Sequence, residues 1–277
     1  MLISRVISSA FLIALAVGVL VGDYYLAPWY PCLLVAAVLL AGLAARELVT
    51  FFPGPARPPA EIAVGGAVLV IVANWVNPPG GLLAAWVPVL FAFVGVFLIA
   101  FLRELYFFHE PGTSTPRLAN TTFVVAYLGV LPSFVVRLRW IGADSGIALA
   151  LTIFVPKLGD VGAYFTGRFF GRHRMTPTLS PKKTWEGFAG GILVSVITAV
   201  VLSFWTDSLS VPFAVGFGLT VGLAGVLGDL AESLLKRDAG AKDAARSVPG
   251  FGGVLDVIDS ILFAGPVAYL WFLLAAR

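Results

Sequence analysis

The chain has 277 residues, of which 59% are hydrophobic and only 12% are charged, and its formal net charge is +3. Soluble domains carry about 25% charged residues, and a soluble core of this length would not hide so much apolar surface, which excludes an ordinary soluble globular protein. The single cysteine excludes a disulfide framework and a multi-cysteine metal site.

Long apolar runs predict the membrane-spanning helices. Nine runs are candidates, although the third and sixth are short for a hydrocarbon layer that needs about 20 helical residues. The first is expected to be a retained span, because no cleavage region follows it. The runs cover residues 5–22, 30–46, 62–76, 82–102, 120–136, 146–158, 188–206, 211–230 and 256–275. The sequence therefore predicts an all-α polytopic membrane protein with about nine transmembrane helices.

The basic residues orient these helices. If the N-terminus is cytoplasmic and the loops alternate, all but three of the 18 Lys and Arg residues fall on the cytoplasmic side. The exceptions are Arg137, Arg139 and Arg277. Because cytoplasmic loops are enriched in Lys and Arg, the distribution predicts a cytoplasmic N-terminus.

Loop chemistry divides the sequence into two regions. Up to about residue 145 the loops are short, with Pro and Gly turns at 51–60 and 77–81. Further on, the cytoplasmic loops are long, basic and rich in Gly. We therefore predict an N-terminal transmembrane region, 1–145, and a C-terminal catalytic transmembrane region with cytoplasmic motif loops, 146–277.

The first polar segment of the second region is KLGDVGAYFTGRFFGRHRM, residues 157–175. Asp160 closes the sixth apolar run, and Tyr164 follows one turn later, on the same face if the helix continues. The glycines would allow close backbone approach, and three arginines supply positive charge. An ordinary basic cytoplasmic loop is the alternative interpretation of the arginines.

The second polar segment is LSPKKTWEGFAGG, residues 179–191. Ser180 followed by Pro181 predicts a helix start, with Ser at the N-cap and Pro at the first helical position. Lys182 and Lys183 would then lie in the first turn, where the helix dipole disfavours cations. Two lysines beside free backbone N–H groups indicate a site for an anion such as phosphate.

The third polar segment, residues 228–260, carries three acids beside apolar helices. Asp229 ends the eighth run, and Asp256 and Asp259 open the ninth. An ionised Asp at membrane depth costs at least about 2.5 kcal/mol, so each should have a partner. Acids surrounded by glycine predict a divalent cation held by oxygen ligands.

The alternative to cation binding is that each of these acids forms an ion pair with Lys236, Arg237 or Lys242. Taken together, acids for Mg²⁺, lysines for phosphates and flexible glycines describe phosphoryl or nucleotidyl transfer.

The three segments resemble the motifs of the phosphatidate cytidylyltransferase (CDP-diacylglycerol synthase) family. SPKKTWEG is similar to the family's Ser-Pro-Lys-Lys-Thr-x-x-Gly stretch, and GDVGAYFTGRFFGRH is similar to its Asp-x-x-Ala-Tyr-x-x-Gly-Arg-x-x-Gly run. The resemblance covers about residues 155–275. In the third segment, the signature positions in register are Ser233, Lys236, Arg237, Lys242, Asp243, Pro249, Gly252, Gly253, Asp256 and Asp259.

The resemblance implies an integral membrane enzyme that makes CDP-diacylglycerol and pyrophosphate from CTP and phosphatidic acid in phospholipid biosynthesis. Its magnesium ligands would be Asp229, Asp256 and Asp259, and a second cation, K⁺ or Mg²⁺, is left open. The catalytic residues would be these three acids and Lys236. The substrate-binding residues would be Ser180, Lys182, Lys183, Arg237, Lys242, Asp160 and Tyr164.

The same resemblance implies a multi-pass protein of the inner (plasma) membrane, surrounded by membrane lipids, with its active site facing the cytoplasm. Nucleic acid is not expected as a partner, and a homodimer is left open. A cytidylyltransferase for another lipid phosphate is one alternative. An ion-coupled transporter is another, but it predicts acids near span centres and inverted repeats, whereas here the acids cluster at one face and no repeat is visible.

Phe251 and Val257 stand where the family pattern has His and Arg. Attack by an already ionised phosphate monoester needs little proton removal, so we expect Phe251→His to leave the rate of lipid-dependent pyrophosphate release largely unchanged. A large increase in that rate would show that the missing histidine matters.

Overall fold

The computed structural model describes residues 2–77, 81–142, 144–206, 209–241, 244–245, 247–248 and 252–275, with side chains from residue 10 onward other than that of Leu82. Within these ranges the regular secondary structure is helical apart from one two-stranded hairpin. The α-helices are α1 (Leu2–Tyr25), α2 (Pro31–Val49), α3 (Ala60–Val72), α4 (Gly81–Tyr106), α5 (Ser114–Val125), α6 (Leu131–Arg137), α7 (Ser145–Phe170), α8 (Trp185–Ser203), α9 (Val211–Asp238) and α10 (Val254–Ala275).

Seven helical stretches of the described chain are long and apolar enough to cross a membrane. The protein is therefore an all-α polytopic membrane protein, as predicted. These stretches are Pro31–Val49, Leu83–Tyr106, Ser114–Trp140, Ser145–Phe170, Trp185–Ser203, Val211–Asp238 and Val254–Ala275. Ala10–Tyr25 and Ala60–Trp75 are shorter apolar helices, and the count of about nine spans stays a prediction.

The sixth apolar run is the first part of a longer helix. The run was expected to end at residue 158, but α7 extends to Phe170. Asp160 and Tyr164 therefore lie one turn apart on a continuous helix. The charges that interrupt the hydropathy here are paired, since Lys157 Nζ lies 3.5 Å from Asp160 Oδ2, and paired charges do not require the helix to stop.

The predicted helix start at Ser180 is wrong. Residues Ser180–Thr184 form strand β2, which pairs antiparallel with β1, Arg174–Thr176. Helix α8 begins at Trp185, where the hydroxyl of Thr184 accepts the backbone N–H of Gly187 at 3.1 Å. The two lysines of this segment thus lie on a strand rather than in the first turn of a helix. A threonine caps a helix nearly as well as a serine, and pairing with β1 selects the later start.

The chain forms two compact units, and the first comprises Met1–Val136 and Asp238–Val257. In it α3 packs against α2, α4 and α5. A core of small apolar side chains results, formed by Val70, Ala73, Val89, Val96 and Val125. The helices approach closely at Gly66, where a Cβ would lie 2.5 Å from Cγ1 of Val96.

The second unit comprises Arg137–Arg237 and Ile258–Arg277. Its helices approach closely because α9 carries a row of glycines. A Cβ at Gly218 would lie 2.6 Å from Val196 Cα on α8, and one at Gly225 would lie 2.7 Å from Pro156 Cβ on α7. Small residues are the usual means by which membrane helices bring their backbones together. The predicted division of the sequence at residue 145 stays a prediction.

The row of glycines on α9 leads to a prediction about the stability of the protein. We expect Gly218→Ala to lower the free energy of unfolding in detergent by about 1–3 kcal/mol, because the new methyl group meets backbone atoms of α8 that cannot turn away. Gly95→Ala on α4 is the matched control, since a Cβ there meets nothing within 4 Å, and it should stabilise the helix by about 0.5–1 kcal/mol. Equal effects of the two substitutions would contradict the packing described for α9.

Candidate functional site

Three acidic side chains meet within the second unit. Asp229 and Glu232 lie one turn apart on α9, and Asp259 lies on α10. One carboxylate oxygen of each lies within 4.8 Å of the others, and Glu232 and Asp259 are buried. Several carboxylate oxygens at this separation suit a single hard divalent cation. Among the residues that the structure describes, this is the one group of three or more acidic, His or Cys side chains with such spacing.

Gly228 makes this meeting of α9 and α10 possible. A Cβ at this position would overlap the carbonyl oxygen of Asp259 and lie 3.1 Å from Cα of Ser260. Both neighbours are backbone atoms, so any larger residue would push α10 away from α9. The glycine that precedes Asp229 in the sequence therefore sets the separation between Asp229 and Asp259.

Each acid of the cluster is paired with a lysine. Lys157 Nζ lies 2.9 Å from Asp259 Oδ1, and Lys183 Nζ lies 2.8 Å from Asp229 Oδ2. Lys236 pairs with Glu232 one turn before it on α9. Lys157 joins α7 to α10, and Lys183 joins β2 to α9, so the cluster draws four elements of the unit together.

Asp160 adds a fourth carboxylate beside Lys157. Its Oδ2 lies 3.5 Å from the lysine Nζ and accepts a hydrogen bond from Ser260 Oγ at 3.2 Å. Four carboxylates and three lysine side chains thus lie in this part of the second unit. The carboxylate oxygens fit a divalent cation, because oxygen atoms are the ligands that such a cation prefers.

Tyr164 lies one turn beyond Asp160, toward the end of α7. Its side chain is 44% exposed, and its hydroxyl accepts a hydrogen bond from Nη1 of Arg168 at 2.8 Å. The phenol and the guanidinium therefore form an accessible polar pair on the same helix as Asp160.

The β1–β2 hairpin carries the predicted phosphate-binding residues of the second segment. Ser180 and Lys182 lie on β2 with Lys183, and Lys182 is exposed. Arg237 Nε donates to the carbonyl oxygen of Leu179 at 3.2 Å, which ties the end of α9 to the hairpin. Four cationic and polar side chains are thereby brought to one part of the second unit.

Glu186 fixes the base of this hairpin. Its Oε2 accepts the backbone N–H groups of Arg172 at 3.1 Å and His173 at 3.2 Å, and its Oε1 lies 2.6 Å from His173 Nδ1. The carboxylate lies in the first turn of α8, where negative charge is favourable. The hairpin that holds Lys183 therefore has a defined position relative to α8.

Asp256, the remaining acid of the predicted set, belongs to the first unit. Its Oδ2 accepts the backbone N–H groups of Gly253 at 2.6 Å and Ala244 at 3.1 Å. Asp256 therefore stabilises the start of α10, and its part in metal binding stays a prediction. Lys242 and Phe251 lie outside the described residues.

The sequence patterns did not identify two members of the cluster, Glu232 and Lys157, as site residues. Their signal was a spacing of three residues, from Glu232 to Asp229 and from Lys157 to Asp160, which places each pair on one helical face. Lys157 also ends an apolar run, where it has the position of an ordinary cytoplasmic-loop charge.

Comparison with known proteins extends the motif resemblance to nearly the whole chain. The sequence model of the cytidylyltransferase family matches residues 3–275. The phosphatidate cytidylyltransferase of Mycobacterium bovis is 32% identical over 284 residues, which are 96% of this chain and 88% of that protein. The Synechocystis protein of the same name is 32% identical over 304 residues, 98% of this chain and 96% of its own length. The Staphylococcus aureus protein is 39% identical over 145 residues, 52% and 54% of the two chains. The chain belongs to the cytidylyltransferase family.

Proposed function

We propose that this protein is a phosphatidate cytidylyltransferase, which makes CDP-diacylglycerol and pyrophosphate from CTP and phosphatidic acid. The observation that carries the proposal is the Asp229–Glu232–Asp259 cluster, in which every acid has its own lysine. Such a site supplies oxygen ligands for a cation and ammonium groups for phosphates within one group of side chains, as nucleotidyl transfer requires. Relatives that match this chain over most of their length have the same name.

In the reaction, an oxygen of the lipid phosphate attacks the α-phosphorus of CTP. A bond forms between them, the bond from the α-phosphorus to the bridging oxygen breaks, and pyrophosphate leaves with that oxygen. No proton has to be removed from the ionised lipid phosphate. Positive groups aimed at the triphosphate are therefore the main requirement on the protein.

We assign the magnesium to Asp229, Glu232 and Asp259. Bound there, Mg²⁺ supplies positive charge that offsets the charge developing on the leaving pyrophosphate. The proposal also includes Asp256 as a magnesium ligand and a second bound cation, K⁺ or Mg²⁺. Neither is assigned to the cluster of Asp229, Glu232 and Asp259.

The lysines serve as the phosphate clamp. Lys183 and Lys236 are paired with carboxylates, and their flexible stems allow the ammonium groups to turn toward phosphate oxygens when the nucleotide binds. Lys182 and Arg237 add cationic groups on β2 and at the end of α9, and Lys242 is assigned the same role from its motif position. Asp160, Tyr164 and Ser180 are assigned to orienting the substrates.

We further propose nine membrane spans, a cytoplasmic N-terminus and an active site at the cytoplasmic face of the inner membrane. The two shorter apolar helices, Ala10–Tyr25 and Ala60–Trp75, supply the spans beyond the seven longer ones. The support for the orientation is the distribution of Lys and Arg. In this arrangement the diacyl tails stay in the lipid while both phosphates meet where CTP is available.

Purified protein with Mg²⁺, CTP and phosphatidic acid should release pyrophosphate in a lipid-dependent manner. Asp259→Asn should lower that rate by about 100-fold, the effect of removing a charge-stabilising group from an active site. Asp238→Asn, which changes an exposed acid at the end of α9, is the matched control and should retain the parent rate.

Comparing pyrophosphate release with phosphatidic acid and with a panel of other lipid phosphates identifies the substrate. Release with a different lipid phosphate and none with phosphatidic acid would contradict the assigned substrate. No release with any of them would reject the enzyme, and full activity of Asp259→Asn would reject the metal assignment.

Glu232→Gln tests the ligand that the sequence patterns did not identify. We expect it to raise the Mg²⁺ concentration required for half-maximal activity by more than about tenfold, since loss of even a supporting contact has an effect of this size on metal affinity. Glu110→Gln, at an exposed loop position, should leave this concentration unchanged. A lower rate with unchanged Mg²⁺ dependence would assign Glu232 only to its ion pair with Lys236.

A further inference from the structure

Glu47 is a buried acid in the first unit, near the end of α2, with 8% of its surface exposed. Its Oε1 accepts hydrogen bonds from Ser247 Oγ at 2.8 Å and the backbone N–H of Val254 at 3.0 Å. Its Oε2 accepts the backbone N–H of Leu255 at 2.9 Å. All three donors lie at least 200 residues later in the chain. A carboxylate of the N-terminal region is therefore bound to the start of α10.

Two of these hydrogen bonds satisfy backbone N–H groups of α10 that have no acceptor within the helix. The first N–H groups of a helix have no partner within the helix. Glu47 accepts hydrogen bonds from the backbone N–H groups of Val254 and Leu255, the first two residues of α10. Asp256, the third residue of α10, accepts a hydrogen bond from the backbone N–H of Gly253. Two negative charges at this end are also favourable for the helix dipole. The direction in which α10 begins thus depends on Glu47 as well as on its own first turn.

The two glycines before α10 allow the contact between Glu47 and the start of this helix. Gly252 has a φ of 119°, in a region that favours glycine, and it forms paired backbone hydrogen bonds with Val248. A Cβ at Gly253 would overlap Oε2 of Glu47 and lie 2.9 Å from Cβ of Ala244. Gly253 therefore leaves the space that the Glu47 carboxylate occupies.

We propose that Glu47 is a positioning residue for nucleotidyl transfer. It holds the first turn of α10, the helix that presents Asp256 and, three residues later, Asp259. It acts through this helix and not through contact with substrate. The inference rests on the proposed function, since that function gives Asp259 its role.

Two accepting oxygens on the side chain of residue 47 are essential to this role. Three donors point at its two oxygens, and each oxygen of an ionised carboxylate only accepts hydrogen bonds. Glutamine has nearly the same shape but offers one accepting oxygen and one donating NH₂ group. Whichever way the amide turns, its NH₂ group meets at least one N–H of α10, so Glu47→Gln should loosen the first turn without opening a cavity.

The experiment compares Glu47→Gln with Asp23→Asn. Asp23 is a matched control because it is 1% exposed and its oxygens accept the N–H groups of Cys32 and Leu33, the second and third residues of α2, at 2.9 Å each. Both substitutions remove the charge of a buried helix-capping acid. We expect similar losses in thermal stability for the two variants.

Hydrogen–deuterium exchange of the metal-free protein is the first measurement. Glu47→Gln should accelerate exchange in residues 252–260, and Asp23→Asn should not. Unchanged exchange in this segment would overturn the proposal whatever the activity shows, because it would mean that α10 begins in the same way without the carboxylate.

The Mg²⁺ dependence of pyrophosphate release is the second measurement. We expect Glu47→Gln to raise the half-saturating Mg²⁺ concentration by about tenfold, in the range found when a supporting contact of a metal site is lost. A merely smaller folded fraction would lower the rate and leave this concentration unchanged, which would overturn the positioning role. If the parent releases no pyrophosphate with any lipid phosphate, the proposed function fails, while the exchange measurement still decides whether Glu47 holds α10.

Gly253→Ala provides a second test of the same contact. It leaves Glu47 charged but fills the space of its carboxylate, so it should accelerate exchange in residues 252–260 as Glu47→Gln does. The double variant should be no worse than the more impaired single variant, since both remove one interaction. Additive losses in the double variant would contradict a shared contact.

Discussion

Buried carboxylates among apolar helices must each be matched by hydrogen bonds or by opposite charge, and the arrangement of this protein follows from how that requirement is met. An unmatched acid at membrane depth costs several kcal/mol, and breaking a buried pair by removing one partner leaves the other charge uncompensated. In the second unit Lys157, Lys183 and Lys236 meet this requirement. Because these lysines come from a helix, a hairpin and another helix, matching the acids also fixes which elements must lie together.

Close backbone contact is the second condition for the cluster, and glycine supplies it. Carboxylates on different helices bind one cation only if the helices lie close enough for an oxygen of each carboxylate to reach it. Gly228 allows α9 to contact the backbone of α10 at Asp259. In the first unit Gly253 makes room for Glu47 in the same way. The places of Gly228 and Gly253 are thus explained by the close contacts that they allow, and not by backbone flexibility alone.

The sequence predicts the features that depend on average polarity or on local spacing, and it does not predict those that depend on distant pairing. Apolar runs indicated the helices, and the motifs selected Asp229, Asp259 and Lys183, which the structure brings into one cluster. Hydropathy left open whether α7 continues beyond residue 158, because it counts Lys157 as a charge and contains no information on its pairing with Asp160 and Asp259. The helix start at Ser180 was wrong because β2 pairs with β1, an interaction that no local capping signal reports. Glu47 gave no signal, since its partners lie at least 200 residues away.

The nature of the partner separates acids that hold the fold from the acids that we propose as metal ligands. Glu47 is bound by two backbone N–H groups and a serine hydroxyl, and backbone donors at the start of a helix cannot turn away without unwinding it. Asp229 and Glu232 are bound by Lys183 and Lys236, the lysines proposed as phosphate ligands, whose ammonium groups move on flexible stems. Asp259 is bound by Lys157 and also accepts the backbone N–H of Ser260. If Lys183 and Lys236 turn toward a triphosphate, the carboxylates of Asp229 and Glu232 are released, while Glu47 stays in place. Asp256 accepts two backbone N–H groups through one oxygen, so any role at the metal must be compatible with holding the turn from which α10 begins.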